Sequence, residues 1–255
     1  MWSWQTTPLL LALCTLSATA SAETLTISVE DAAPPWSIRD GTGFANDVVI
    51  AAFKEMSVSV QLNVMPYARC KYMALNGTTV ACFNMSGVPE FEGKIRLASL
   101  PIYSASNDIF ERIDDPLPKP PDGKCTLPPG SVGISRAYEY SSEATALQSS
   151  NVVFESAASD VQNLEKLAAG RLKAALIITS QWQDRSEKAR RSGTETAVRF
   201  SFNCGRTNVG IGFSLAHPDG LRALEMYDEG YRRIQANGVL EQIYHRWFTA
   251  ANHRS

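Results

Sequence analysis

Hydrophobic and polar positions in the first third of the chain follow the pattern of strands alternating with helices. Apolar residues alternate with polar ones over 25–29 and again over 58–64, which is the period of a β-strand. Between these runs, residues 46–56 place their apolar side chains on one face of a helix. A second helix over 68–76 and an apolar strand over 79–85 follow. This β-α-β-α-β order predicts a largely parallel sheet covered by helices.

A second α/β set follows residues 114–129, which carry six prolines and are interpreted as a surface loop. Ser159 followed by Gln162 is a capping-box signature for one of its helices. The charged segment 185–191 is interpreted as a solvated helix face rather than a binding patch. The predicted strands are 132–134, 152–154, 174–178, 198–202 and 208–214, and the predicted helices are 160–169, 185–191, 221–234 and 239–248.

The N-terminus has the pattern of a secretory signal. Residues 1–22 carry no charged side chain, and the apolar run Leu9 to Leu13 is too short to span a bilayer. Ala20-Ser21-Ala22 fits the small-residue pattern of a cleavage site. We therefore expect cleavage after Ala22 and a soluble periplasmic protein. Lipidation of Cys14 is disfavoured by the bulky Leu13 before it.

Composition argues against several functional classes. A hydrophobic content of 44% and a charged content of 20% are those of an ordinary globular protein. The formal net charge of −2 does not favour nucleic acid or an anionic membrane surface as a partner. No nucleophilic triad, phosphate loop or dinucleotide fingerprint is visible. We expect a monomer that is not an enzyme and that holds no cofactor or metal.

Secretion gives the cysteines a structural meaning. Cys70, Cys82, Cys125 and Cys204 follow the expected cleavage site, and an even number in an oxidising compartment favours two disulfides. Three pairings are possible. We favour Cys70–Cys82, because a helix and the strand after it are neighbours in a βαβ unit, which leaves Cys125–Cys204. Buried free thiols are the alternative, and a zinc site is disfavoured because no Cys-x-x-Cys spacing occurs.

Several segments together resemble one known family, the extracellular solute-binding proteins of family 3. That family includes the polar amino-acid receptors of bacterial ABC importers. Each segment is a weak signal alone, but their order and spacing extend over almost the whole chain after residue 22. The segments are Pro34-Pro-Trp36, Gly43-Phe-Ala-Asn-Asp47, Val88-Pro-Glu-Phe-Glu-Gly93, Pro101-Ile-Tyr103, Leu164 to Leu172, Gly210-Ile-Gly-Phe213, Asn237-Gly-Val-Leu240 and Trp247-Phe248.

The resemblance implies an α/β protein with the two-lobe periplasmic-binding-protein type II fold. Each lobe would be a mostly parallel sheet flanked by helices, and two hinge strands near 108–112 and 208–213 would join the lobes. Lobe 1 would then comprise 23–109 and 210–255, and lobe 2 would comprise 110–209. The implied function is capture of a small polar or aromatic solute and its delivery to an inner-membrane ABC permease.

Two departures from the family pattern argue against a standard α-amino acid as the ligand. The resemblance places Phe91 where the family has an arginine that clamps the ligand's α-carboxylate. It places Ile178 or Thr179 where the family has an aspartate that holds the α-ammonium. Loss of two charge-assisted hydrogen bonds would weaken binding by roughly 1.5–3 kcal/mol each.

Candidate ligand-binding residues lie where the predicted elements end. Trp36 follows the first strand and can stack on a ring, with packing inside its own lobe as the alternative. Tyr67 and Arg69 open the second helix, where Arg69 can bind an anion or form a salt bridge. Asn84 and Ser86 lie at the C-terminal end of the predicted strand 79–85, where open α/β sheets place ligands, with local turn bonding as the alternative.

The remaining candidates come from both predicted lobes. In lobe 1, aromatic residues after the same strand line the pocket or simply pack. In lobe 2, polar side chains follow two strands, where the resemblance implies a small hydroxyl residue against the ligand. These candidates are Phe91, Tyr103, Ser135, Arg136, Tyr138, Thr179 and Ser180.

Two other functions remain open. One is a sensor module that binds a ligand and docks to a membrane receptor without a role in transport. The other is an enzyme on the same scaffold, since one fold hosts unrelated functions. Glu30, Asp31 and Glu90 are the acids or bases that such an enzyme would have near the cleft.

Overall fold

The computed structural model describes residues 23–120, 124–149, 151–180, 182 and 184–248. The predicted signal segment, 1–22, lies outside the described residues. Within them, no helix combines the length and the apolar character that a membrane span requires.

The described residues form eleven strands and seven α-helices. The strands are β1 Glu23–Glu30, β2 Ala32–Ala33, β3 Ser37–Ile38, β4 Val58–Met65, β5 Ala81–Ser86, β6 Ile95–Leu97, β7 Tyr103–Arg112, β8 Gly130–Ser135, β9 Val152–Ala157, β10 Ala174–Ser180 and β11 Val198–Ser214. The helices are α1 Phe44–Lys54, α2 Tyr67–Leu75, α3 Ser142–Thr145, α4 Asp160–Ala168, α5 Ser186–Arg191, α6 Gly220–Ala236 and α7 Val239–Phe248. The described part of 114–129 contains no helix or strand, in agreement with the predicted loop.

One sheet carries both halves of the molecule. Its strand order is β4-β1-β5-β11-β7-β10-β8-β9, with β6 also paired to β11. Strand β1 runs parallel to β4 and β5, and β8 runs parallel to β9 and β10. The antiparallel pair β7 and β11 lies between these two parallel sets. The predicted architecture of two α/β halves joined by two strands is therefore confirmed.

Each parallel set buries its own hydrophobic core. Around β1, α1 and α6 the core includes Ile27, Phe53 and Tyr227, which are fully buried. Around β10 and α4, Leu164 and Ile177 are fully buried in a separate cluster. Separate cores are what allow two lobes to move as units, because motion at their boundary does not break the packing within either.

The second joining strand, β11, differs from its prediction. The sequence predicts separate strands at 198–202 and 208–214, whereas β11 is continuous over 17 residues. Its register shifts between Phe200 and Phe202 and again between Asn203 and Arg206. Such bulges absorb extra residues and increase local twist without ending the strand. The polar stretch around Gly205, which takes a φ of +93°, is therefore a bulge rather than a loop.

The predicted lobe boundaries at residues 109 and 210 stay predictions. Where β7 and β11 enter the region between the parallel sets, Tyr103 pairs with Val209 and Ala105 with Thr207. We propose that the chain crosses between lobes at these pairs, which lie a few residues before the predicted hinge in β7 and at the start of the predicted hinge in β11.

Both favoured cysteine pairs are present. Cys70 of α2 is bonded to Cys82 of β5, and Cys125 is bonded to Cys204 of β11. Cys70 and Cys82 are fully buried, so the first disulfide fixes α2 on the face of the sheet. The second fixes the proline-rich loop to a joining strand.

Removal of the two disulfides should destabilise the protein unequally. The bridges close chain segments of 12 and 79 residues. In the chain-entropy description, their loss lowers the free energy of unfolding by about 3 kcal/mol for Cys70→Ala/Cys82→Ala and about 4.5 kcal/mol for Cys125→Ala/Cys204→Ala. Urea unfolding of the two double variants beside the parent protein measures the difference. A larger loss for the Cys70–Cys82 pair would show that core packing, and not loop closure, dominates.

Candidate functional site

A cavity of about 40 Å³ lies between the lobes at the crossing strands. A water molecule needs roughly 10–15 Å³ of such space, so the cavity has room for only a few waters. The lobes are therefore in contact across a nearly closed cleft. The lining residues are Glu30, Ala33, Trp36, Tyr67, Asn84, Ser86, Tyr103, Ala105, Tyr138, Glu139, Ile178, Lys188, Thr207 and Val209.

Trp36 forms one wall because the loop after β1 is held against the start of α1. The amide N–H groups of Phe44 and Ala45 donate to the carbonyls of Pro35 and Trp36 at 2.9 and 3.0 Å. Gly43 takes a φ of +153°, and a Cβ there would lie 2.1 Å from the Trp36 carbonyl oxygen. The close approach thus requires glycine. The Trp36 ring stacks on Tyr103 with centroids 3.9 Å apart and planes within 6°.

Asn84 reaches the cavity through a bulge in β5. Gly210 pairs with Met85 and Ile211 with Phe83, so Asn84 is the extra residue between them. Its φ is +69°, a left-handed conformation that asparagine adopts more readily than most residues. Its Oδ1 accepts a hydrogen bond from the Tyr103 hydroxyl at 3.4 Å, and its buried Nδ2 has no partner among the described residues.

Glu139 of lobe 2 extends across the cleft into a group of lobe 1 donors. Its Oε2 accepts hydrogen bonds from the Tyr67 hydroxyl at 2.6 Å and from the Ser86 backbone N–H at 3.2 Å. Its Oε1 lies 3.1 Å from Lys71 Nζ, which also pairs with Glu90 at 2.8 Å. The Glu139 side chain is only 3% exposed, so this ion pair is desolvated.

A second contact between the lobes involves Glu30. This residue ends β1 and is 4% exposed, and its Oε1 accepts a hydrogen bond from the Tyr138 hydroxyl of lobe 2. Lys188 of α5 also reaches the cavity, but its ammonium pairs with Asp160 at the start of α4. Carboxylates and hydroxyls therefore dominate the polar lining.

Burial changes the titration of these groups. Desolvation raises the pKa of Glu30 from 4.5 to about 7, although the hydrogen bond from Tyr138 opposes the change. Desolvation also raises the pKa of Glu139, against the attraction of Lys71. Burial by itself would lower the pKa of Lys71, but the carboxylates of Glu139 and Glu90 outweigh it and the net shift is upward. Lys71 therefore stays cationic at neutral pH.

Trp182, which the sequence patterns did not single out, packs beside Trp36 at the site. It follows β10 in lobe 2, and its ring centroid lies 5.9 Å from that of Trp36. It also contacts Tyr244 and Phe248 of α7 at 5.5 and 5.2 Å. The C-terminal helix is thus coupled to both lobes through aromatic packing.

Six of the predicted ligand-binding residues meet at the cavity, and their ligand roles stay predictions. They are Trp36, Tyr67, Asn84, Ser86, Tyr103 and Tyr138.

The other six predicted residues do not line the cavity. Arg69 and Arg136 are exposed. Phe91 is 4% exposed and packs in the core around α2, with Lys71 Nζ 5.2 Å from its ring centre. The three hydroxyl residues are buried: Ser135 donates to Asp160 at 2.6 Å, Thr179 donates to Asp108 at 2.5 Å, and Ser180 accepts from the Trp182 N–H at 3.3 Å.

The charged segment 185–191 is less solvated than predicted. Lys188 reaches the cavity, and Arg185 Nε lies 2.9 Å from Asp108, a fully buried carboxylate, with its guanidinium over the Phe200 ring. The charged residues of a short helix do not reveal from sequence which of them contact a buried partner on another element. For Glu139, the adjacent prediction of Tyr138 was a usable signal, because the two share one loop.

Solved structures with this fold include several kinds of binding protein. An ancestral arginine-binding protein bound to arginine has a TM-score of 0.70 and 18% sequence identity, covering 88% of this chain and 98% of that chain. A histidine kinase sensor domain with similarity to periplasmic binding proteins has a TM-score of 0.70 and 17% identity, covering 88% and 95%. The substrate-binding protein of an amino acid ABC transporter has a TM-score of 0.67 and 16% identity, covering 89% and 99%.

The fold is that of the two-lobe periplasmic binding proteins. The resemblance stated from the sequence is confirmed at this level. No protein-family model matches the chain, and no curated protein matches it either. Sequence identities of 16–18% show a shared fold but do not identify the ligand of this chain.

Glu30 should make stability depend on pH in a defined direction. Because its pKa is higher in the folded state than the ordinary value, the folded protein binds the proton more tightly, and stability falls as pH rises from 4.5 to about 7. Glu30→Gln keeps an acceptor for Tyr138 but cannot ionise. Relative to the parent, this variant should gain on the order of 3 kcal/mol of unfolding free energy between pH 4.5 and 7.5.

Urea unfolding of both proteins across this pH range checks the expectation. Glu92→Gln is the matched control, because Glu92 is exposed and its neutralisation should leave the pH profile unchanged. The groups facing Glu30 that titrate or bear charge are Tyr67, Tyr103, Tyr138, Asp160 and Lys188. Parallel profiles for Glu30→Gln and the parent would contradict a buried, proton-binding Glu30.

Proposed function

We propose that the protein is a periplasmic solute-binding receptor. It captures a small polar or aromatic solute between its lobes and delivers it to an inner-membrane ABC permease. The observation that carries the proposal is a cavity lined by side chains from both lobes, placed where β7 and β11 cross between them. In this geometry a bound solute contacts both lobes at once and favours their closure.

The lining is suited to binding rather than to a fixed structural role. Trp36, Tyr103, Tyr67 and Tyr138 present ring surfaces, which give large contact area for a ring or an apolar group. The buried Asn84 Nδ2 and Thr207 Oγ1 have no hydrogen-bond partner among the described residues. An aromatic wall with a few convergent polar atoms is the usual construction of a small-molecule site.

A standard α-amino acid is not the proposed ligand. Phe91 is buried in the core, and Ile178 gives the cavity an apolar wall, where the resemblance would place the two charged anchors. Lys188, which reaches the cavity, is paired with Asp160, and the buried Lys71 is paired with Glu139 and Glu90. A ligand carboxylate would have to displace a carboxylate of the protein itself.

Two other functions use the same cavity. A sensor would bind its solute in the same way but dock to a membrane receptor, and the similarity to a histidine kinase sensor domain is compatible with that role. An enzyme would need an acid or base, and Glu30, with a pKa of about 7, is the group that favours it. Turnover that is lost in Glu30→Gln would support the enzyme.

Solute capture predicts a ligand-dependent gain in stability. A solute at 100 times its dissociation constant should add about 2.7 kcal/mol to the free energy of unfolding. A thermal-shift screen of polar and aromatic metabolites, with mass spectrometry of any solute retained through purification, identifies the ligand. A shift caused by amino acids alone would contradict the proposed ligand range.

Variants locate the binding. Trp36→Leu removes the stacked ring and should reduce the shift given by the identified solute. Tyr72→Leu is the matched control, because Tyr72 is 67% exposed on the outer side of α2. An equal shift in both variants would place binding outside the cleft and overturn the assignment.

A further inference from the structure

The charged groups at the cleft can be paired one by one. Lys71 is bound to Glu139 at 3.1 Å and to Glu90 at 2.8 Å. Lys188 is bound to Asp160, which also accepts a hydrogen bond from Ser135. The ammonium groups of Lys71, beside the cleft, and of Lys188, at the cavity, are thus already compensated by carboxylates of the protein.

Glu30 has no such compensation. Its carboxylate is 4% exposed and forms no ion pair with any lysine, arginine or histidine of the described chain. The neutral Tyr138 hydroxyl donates a hydrogen bond to it, and the neutral side-chain amide of Asn84 lies near enough to lower its pKa. Asp160 and Lys188 act on it in opposite senses and largely cancel, because they are bound to each other. A buried carboxylate without a counter-charge is costly, and a ligand cation would remove that cost.

The surroundings of Glu30 are suited to a cation. Tyr67 and Tyr138 meet edge to face with centroids 5.4 Å apart, and the Trp36–Tyr103 stack lies on the same cavity. Aromatic faces attract organic cations through their quadrupoles, most strongly where water is excluded. Carboxylate and aromatic walls together select positive charge more strongly than either alone.

Glu139 disfavours a negative charge at the other end of the ligand. Its carboxylate occupies three lobe 1 donors, the Tyr67 hydroxyl, the Ser86 N–H and the Lys71 ammonium. These donors would otherwise attract an anionic group of the ligand. The protein thus supplies this carboxylate from its own lobe 2, and a ligand carboxylate would be repelled or would have to displace it.

We propose that the captured solute is an organic amine or another small cation without a carboxylate, with its positive charge on Glu30 and its body against the aromatic walls. The proposal rests on solute capture as the function and names the chemical class of the solute.

Two matched series of probes test it by isothermal titration calorimetry at pH 8. One series is propylamine, propionate, 1-propanol and alanine, and the other is 2-phenylethylamine, 3-phenylpropionate, 2-phenylethanol and phenylalanine. Within each series the body is similar and the charge differs. An amine should bind at least about tenfold more tightly than the other three members of its series.

Two variants should move the preference in opposite directions. Glu30→Gln should weaken amine binding by about tenfold or more, and Glu92→Gln should leave it unchanged. Glu139→Gln removes one of the two carboxylates that compensate Lys71 and leaves only Glu90, so propionate, 3-phenylpropionate or the amino acids should gain affinity. The probe comparison in the parent protein stands even where a variant does not fold.

Each outcome decides between the two proposals. Tighter binding of the anion, alcohol or amino acid, or amine binding that Glu30→Gln leaves intact, overturns the cation assignment while solute capture stands. If only a compound from the wider screen binds, a positive charge on it at pH 8 supports the cation assignment, and a neutral or negative compound overturns it. Absence of binding across both the probes and the screen overturns solute capture together with the cation assignment.

Discussion

The contact between Glu139 and the lobe 1 donors is the interaction on which the observed conformation depends. It ties a lobe 2 carboxylate to Tyr67, Ser86 and Lys71 inside a desolvated cleft. Loss of one partner from such a buried pair costs about 3–5 kcal/mol, because the other charge stays buried. Separation of the lobes is different, since water then reaches both charges. The contact therefore orients the closed lobes while still allowing them to part.

The crossing strands β7 and β11 bring the two sides of this contact together. Glu139 and Tyr67 lie 72 positions apart in sequence, and they meet because β7 and β11 hold the two parallel sets side by side. The strands pair over 103–112 and 198–209, with bulges that adjust the angle between the sets. Asn203 donates to both Asp108 and the carbonyl of Asn107, which secures the bulged region of β11 to β7. The position of the Glu139 contact is therefore set by the two crossing strands and by the packing within each lobe.

Local periodicity was sufficient to predict the strands and helices of the chain's first third, and the division into two lobes came from the resemblance to the family 3 solute-binding proteins. The periodicity also holds information about side-chain direction. The β-α-β-α-β start follows from spacing and order, and the same order of elements favoured the observed cysteine pairs among three possible pairings. Helix α2 buries Tyr67, Cys70, Lys71 and Ala74, which is the i, i+3, i+4, i+7 stripe of one helix face. That stripe places Arg69 on the outer side and Lys71 on the inner side. The same reasoning from sequence would have selected Lys71 instead of Arg69.

Other features of the site depend on contacts that no local pattern encodes. The bulge at Asn84 arises from how β5 pairs with β11, more than 120 residues later in the chain. The inward direction of Lys188 depends on Asp160 of a neighbouring helix. The ends of strands, where ligands bind in this kind of fold, could be predicted from the sequence, but local patterns do not show which polar residues there already have protein partners. Ser135 and Thr179 have such partners and Asn84 Nδ2 does not.

That difference bears on how the cleft selects a solute. Asn84 Nδ2 and Thr207 Oγ1 are buried and unpartnered among the described residues when the lobes are together. Each unsatisfied buried polar atom disfavours the closed state by roughly 1–3 kcal/mol. Under the proposed function, a cationic solute that also carries a hydrogen-bond acceptor would relieve this penalty at Asn84, and one that merely fills the space would not. Closure of the lobes would then be coupled to the hydrogen-bonding pattern of the solute as well as to its charge and shape.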